Sequence, residues 1–131
     1  MKKIIYFSLL ILSMGCVDKK NCKNAICTEM FSMVTVKVNI PSSIPVSEIS
    51  TQTVMLSSIN VIHMQTAPSG SQNNLFTIVD DTDLQKLGFN SKQAVELKIL
   101  RNGTVINSSQ FVISTDCCHV TKSEGPEQID L

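Results

Sequence analysis

The chain has 131 residues, with 11 Lys+Arg against 11 Asp+Glu and a formal net charge of zero. That balance argues against a nucleic-acid binder, whose affinity rests on a basic surface, and no nucleic-acid partner is expected. The length accommodates one domain and leaves no room for a multidomain enzyme.

Met1-Lys2-Lys3 is a short positive start, followed by the apolar run Ile4–Leu12 and then Ser13-Met14-Gly15-Cys16. Charge, a short apolar stretch and then small residues is the order of a secretory signal. The apolar run is too short for a permanent membrane-spanning helix, which needs about 20 residues. No other segment approaches that length, so the remainder is expected to be soluble. The segment resembles a bacterial lipoprotein signal peptide, in which the cysteine after a small residue receives a diacylglycerol and becomes the new N-terminus. Gly15-Cys16 fits that rule. Ser13 departs from it, because the family prefers Leu or Val three residues before the cysteine, and Leu12 stands one step further back. The resemblance covers residues 1–16 and implies a signal peptide over 1–15, lipidation of Cys16 and a tether over 16–27 ahead of a domain at 28–131.

Cysteine parity agrees with that implication. The sequence has five cysteines, which leaves one unpaired in an oxidising compartment. Setting Cys16 aside as a thioether leaves Cys22, Cys27, Cys117 and Cys118. Acyl chains contribute about 0.8 kcal/mol per buried CH2, so two or three of them anchor a protein firmly without spanning the membrane. Loss of Lys2 and Lys3 with the leader turns the net charge to −2. Lys19, Lys20 and Lys23 then read as a solvated tether.

The clearest local pattern is Val34-Thr35-Val36-Lys37-Val38-Asn39-Ile40, where apolar and polar residues alternate strictly. It predicts a strand with one buried face, stopped by Pro41 and Pro45. A second apolar stretch runs from Val54 to Met64. A third, Leu75–Val79, follows the turn-rich loop 67–74. Asp80–Gly88 predicts one or two helical turns, with Asp81 or Thr82 as N-cap, Leu84 and Leu87 facing the core and Gly88 as the stop. Val95–Arg101 then leads through Asn102-Gly103 into Thr104-Val105-Ile106. Asn-Gly between apolar runs specifies a two-residue hairpin, because both positions accept positive φ. That register sets Ile99 opposite Ile106 and Val95 opposite Gln110. The apolar phase has slipped by Phe111 and Ile113, which predicts a bulge or break at Ser108-Ser109-Gln110. About six strands, one short helix and no crossover helices predict an all-β antiparallel two-sheet sandwich, immunoglobulin-like or transthyretin-like, with a small closed barrel as the alternative.

Cys22 and Cys27 precede the first strand, and Cys117-Cys118-His119 lies in or beside the last. Two disulfides between these segments would each close a loop of about 90–95 residues, which the chain-entropy relation values at about 4–5 kcal/mol for the first closed. A vicinal Cys117–Cys118 bridge is disfavoured by its distorted ring, and the two crossed pairings are indistinguishable from spacing. A zinc site of four thiols, or three with His119, is the competing reading. It lacks the paired C-x2-C knuckles of strong zinc signals, so disulfides are preferred. A catalytic Cys118–His119 pair is disfavoured because neighbours on a strand point apart. His63 reads as a strand residue with one nitrogen satisfied, and neither histidine has a partner recognisable in the sequence. Asp80, Asp81 and Asp83 form an acidic cluster without an EF-hand's glycine and bidentate glutamate, and helix capping accounts for it more simply than calcium.

No hydrolase, zincin, phosphate-loop or dinucleotide signature is present, so no cofactor, metal or catalytic residue is expected. Cys27-Thr28-Glu29-Met30-Phe31 and Asp116-Cys117-Cys118-His119-Val120 resemble segments of small envelope lipoproteins from Bacteroidetes-type bacteria. That resemblance implies a β-sandwich and carries no activity with it. The leading expectation is therefore a non-catalytic lipoprotein of the cell envelope, anchored in the outer membrane, facing the periplasm or the surface, and binding an envelope protein. A second is a small-ligand or glycan binder, although the chain beyond the leader has no Trp or Tyr to stack on sugars. A third is a small hydrolase or metal carrier built on His63, His119 and the aspartates, which requires those side chains to converge in a cleft.

Overall fold

The computed structural model describes residues 22–66 and 74–131. The signal segment, Cys16 and the tether up to residue 21 lie outside the described residues, as does most of the predicted loop at 67–74.

The alternating run forms β1 (Met33–Asn39), with Val34, Val36 and Val38 buried. After Pro41 and Pro45, a single 3-10 turn, Val46–Glu48, delivers the chain to β2 (Ile49–Met55). The apolar stretch expected over Val54–Met64 is divided between two strands. β2 ends at Met55, whose carbonyl accepts from the Ile59 amide at 2.8 Å and whose amide donates to the Asn60 carbonyl at 2.9 Å, and β3 (Val61–Thr66) begins after that turn. β4 (Leu75–Asp80) is followed by a 3-10 turn, Asp81–Asp83, and the short helix α1 (Leu84–Leu87). Leu84 and Leu87 face the core as expected, and Gly88 ends the helix at φ 85°. The cap is Asp80, however, and neither Asp81 nor Thr82. Its Oδ1 accepts from the Thr82 amide at 2.8 Å while Asp83 Oδ2 accepts from the Asp80 amide at 3.2 Å, a reciprocal capping box.

β5 (Lys92–Arg101) and β6 (Thr104–Thr115) form the Asn102-Gly103 hairpin, with Arg101 paired to Thr104 and φ of 48° and 83° at the two turn residues. The phase correction comes earlier than Ser108–Gln110. Leu100 pairs with Val105 and Ile99 with Asn107, so Ile106 is the extra residue. From there Val95 meets Phe111 and Gln93 meets Ile113, which restores apolar side chains to the inner face. The bulge sits beside the turn because Asn107 is needed facing inward, where its Nδ2 donates to the Asp130 carbonyl at 3.1 Å. β7 (Val120–Glu124) and β8 (Gln128–Asp130) complete the chain.

The strands form a two-sheet sandwich. One sheet has the order β4-β1-β8 and the other β3-β2-β5-β6-β7. All pairings are antiparallel except β1–β8. β8 reaches β1 after the chain leaves the other sheet, so no hairpin dictates its direction. Phe76, Ile78, Leu97, Ile99, Phe111 and Ile113 fill the space between the sheets. Thr53 spans the layers by donating its hydroxyl to the Ile78 carbonyl at 2.6 Å. No helix among the described residues is long and apolar enough to cross a membrane.

Candidate functional site

The four expected cysteines meet at one end of the sandwich. Cys117 and Cys118 do not lie on a strand; they occupy the turn 116–119 between β6 and β7. Asp116 shapes that turn, because its Oδ1 accepts from the amides of Cys118 at 2.6 Å and His119 at 2.7 Å. These two N–H groups hold the Asp116 carboxyl below the ordinary range. A turn can direct adjacent side chains toward one neighbouring segment, which a strand cannot. Cys22 pairs with Cys117 and Cys27 with Cys118, each with a Cα–Cα distance of 5.3 Å. One of the two crossed pairings left open by the sequence is thereby selected. The Asn90 amide lies against this end, 3.3 Å from the Cys117 sulfur.

The staples bring residues 27–32 across the β6–β7 turn. There Thr28 Oγ1 lies 3.1 Å from His119 Nε2, and His119 Nδ1 lies 2.8 Å from Asp81 Oδ2. Asp81 is held in turn by the Ser32 amide at 2.7 Å and the Val120 amide at 2.9 Å. Burial opposes ionisation of Asp81. The hydrogen bonds from His119, Ser32 and Val120 outweigh it, and the carboxyl sits below its ordinary value. In the tautomer that donates Nδ1–H to the Asp81 carboxylate, Nε2 carries a lone pair that can accept from the Thr28 hydroxyl. Exposure falls along this chain: Thr28 is exposed, the His119 side chain is 25% exposed and that of Asp81 12%. Beside it opens a recess of about 580 Å³, walled by Met30, Phe31 and Met33 with Thr28, Asp116 and His119 at its polar edge. The three apolar side chains are all exposed.

His63, on β3, belongs to a second cluster. Its Nδ1 lies 2.8 Å from Asp83 Oδ2, and Lys86 Nζ lies 3.1 Å from Asp83 Oδ1. Asp83 is nearly fully buried. Burial again opposes its ionisation, but His63, the Asp80 amide and Lys86 prevail and its pKa is lowered. The hydrogen bond to Asp83 raises the His63 pKa against the opposing effect of burial. Among the described residues, His63, Asp80 and Asp83 bring ligand atoms within 4.8 Å of one another. Asp83 already has Lys86 as its cation, and a metal would have to displace it. The two histidines therefore do not converge; each takes a different carboxylate of the segment Asp80–Asp83.

These pairs give stability a defined pH dependence. His63 is raised from 6.5, so its contribution is complete below about pH 6.5 and fades as pH rises through the folded value. Asp81, Asp83 and Asp116 are lowered from 3.8, so theirs is complete above about pH 3.8 and fades as pH falls through the folded values. Melting temperatures measured from pH 3 to 8 should peak between about 4 and 6.5. His63→Gln should flatten the alkaline decline and shrink the Asp83 share of the acid limb, while the shares of Asp81 and Asp116 remain.

Sequence reasoning named the cysteines and the histidines but missed Thr28 and the separate roles of Asp81 and Asp83. Its one available signal was the acidic cluster, which holds more carboxylates than a single helix cap uses. Comparisons with known protein families, characterised proteins and solved structures return no match.

Proposed function

We propose that the protein is a lipid-anchored module of the bacterial cell envelope whose working face is the recess beside Thr28 and His119. The observation carrying this reading is the pair of disulfides between the N-terminal segment and the β6–β7 turn. Disulfides form and persist in oxidising compartments outside the bacterial cytosol, which agrees with the signal-like residues 1–15. Cys22 lies six positions beyond Cys16, and a chain extends at most about 3.3–3.6 Å per residue. An anchor on Cys16 therefore keeps the stapled end, and the recess with it, within about 20 Å of the bilayer surface. Met30, Phe31 and Met33 offer apolar contacts to an envelope component at that height. The recess favours a small apolar ligand over a glycan, because its walls contain no Trp or Tyr. Cys16→Ala should move the protein from the membrane to the soluble fraction of fractionated cells. Unchanged membrane association would contradict the anchor.

A further inference from the structure

The Thr28–His119–Asp81 chain has more order than a structural clasp requires. A hydroxyl is activated as a nucleophile when a neutral imidazole within about 2.6–3.2 Å accepts its proton and a third group orients that imidazole. Here the 3.1 Å Oγ1–Nε2 and 2.8 Å Nδ1–Oδ2 contacts meet both conditions. Two backbone amides fix Asp81, and the turn held by Asp116 fixes the His119 backbone. The acceptor for the hydroxyl proton is thus held from behind, while the hydroxyl itself stays open to the apolar recess. The nearly buried carboxylate, the imidazole it orients through Nδ1 and the exposed hydroxyl run in the order that acyl transfer uses. We propose that Thr28, His119 and Asp81 form an acyl-transfer centre that hydrolyses esters carrying a short apolar acyl group. This deepens the reading of the recess as the working face and rests on it.

The step balances within these residues and water. Thr28 Oγ1 adds to the ester carbonyl carbon as its proton passes to His119 Nε2, giving a tetrahedral oxyanion and an imidazolium facing ionised Asp81. The C–O bond to the alcohol breaks, and the departing oxygen takes the Nε2 proton. Water then adds to the acyl-threonine with His119 again accepting a proton, the Oγ1–C bond breaks, and Thr28 Oγ1 recovers its hydrogen. Ester and water become acid and alcohol. The acyl group lies against Met30, Phe31 and Met33, whose apolar chemistry disfavours a charged one.

The oxidised full chain is to be tested with p-nitrophenyl butyrate and, separately, with an alkyl fluorophosphonate followed by peptide mass spectrometry. Hydrolysis above buffer and a phosphonyl adduct on Thr28 are expected. Loss of a general base typically lowers a rate by about 10²–10⁴-fold. Thr28→Val and His119→Gln should therefore fall at least about 100-fold, Thr28→Val with a melting curve close to the parent, while Thr28→Ser keeps both turnover and labelling. Because Thr28 is exposed, Thr28→Val leaves the core untouched. Hydrolysis no faster than buffer, or hydrolysis that survives Thr28→Val, overturns the inference. Binding of 1-anilinonaphthalene-8-sulfonate, abolished by Phe31→Asp, reads the recess independently. Dye binding without turnover removes the acyl-transfer centre alone, whereas absence of both removes the recess as working face.

Discussion

Reduction of both disulfides is expected to lower the melting temperature by roughly 20 °C. The bridges join positions 95 and 91 residues apart, so each ties nearly the whole described fold into one loop. In the chain-entropy relation the first such loop contributes about 4–5 kcal/mol by restricting the unfolded chain. A domain of about 100 residues shifts by about 4–8 °C per kcal/mol, and total stabilities are only about 5–15 kcal/mol. The second bridge adds far less, because its ends are already held together by the first. Thermal scans with and without dithiothreitol should therefore show the large fall, while Cys22→Ser with Cys117→Ser should produce a small one. A reduced protein that melts within a few degrees of the oxidised form would show that strand pairing alone sustains the fold.

Gly125→Ala should destabilise the protein by about 2–5 kcal/mol, as much as emptying part of the core. Gly125 follows β7 with φ at 127°, a region that residues with a Cβ rarely enter. A Cβ there would stand 2.3 Å from Cδ1 of Phe111, one of the largest fully buried side chains. The ring packs directly over the glycine backbone. Either the ring leaves its rotamer or the β7–β8 connection moves, and the second option would disturb the placement of β8 against β1. Urea denaturation should show the loss. Combining the change with Phe111→Leu should then add less than the sum of the two single effects, because the overlap has been removed. Full additivity would mean that ring and glycine do not compete for the same space.

How far the sequence discloses this fold depends on where packing follows local pattern. β1 and the Asn102-Gly103 hairpin are legible because period-two burial and turn chemistry are both local. β2 is not, since its inward positions include Thr51 and Thr53, polar in name but β-branched and buried. Polar residues at those positions interrupt the apolar period and push the apparent strand toward Val54. β7 and β8 contribute only Val120 and Ile129 to the core and leave too little pattern to find. The bulge was inferable from the phase slip, but its position at Ile106 answers to Asn107 reaching Asp130 on a different sheet.

The site follows the same rule. Cysteine parity pointed to four partners, while their pairing depends on the turn that Asp116 builds. Thr28 and His119 stand 91 positions apart, and Asp81 and His119 stand 38 apart. No spacing rule connects such residues; the disulfides and the sandwich ends do. His63 and His119 look alike in the sequence, yet one is raised by a buried carboxylate that also faces Lys86, and the other meets a carboxylate on one side and a hydroxyl on the other.

The arrangement stands on the crossing of the N-terminal segment onto the β6–β7 turn with Cys22 joined to Cys117 and Cys27 to Cys118. In a Cys16→Ala background, thiol alkylation of two double variants reads that pairing directly. Cys22→Ser with Cys117→Ser should leave no alkylatable thiol and near-parental stability, whereas Cys22→Ser with Cys118→Ser should leave two free thiols. The reverse pattern, with the second variant fully oxidised and the first carrying two reactive thiols, would contradict the account.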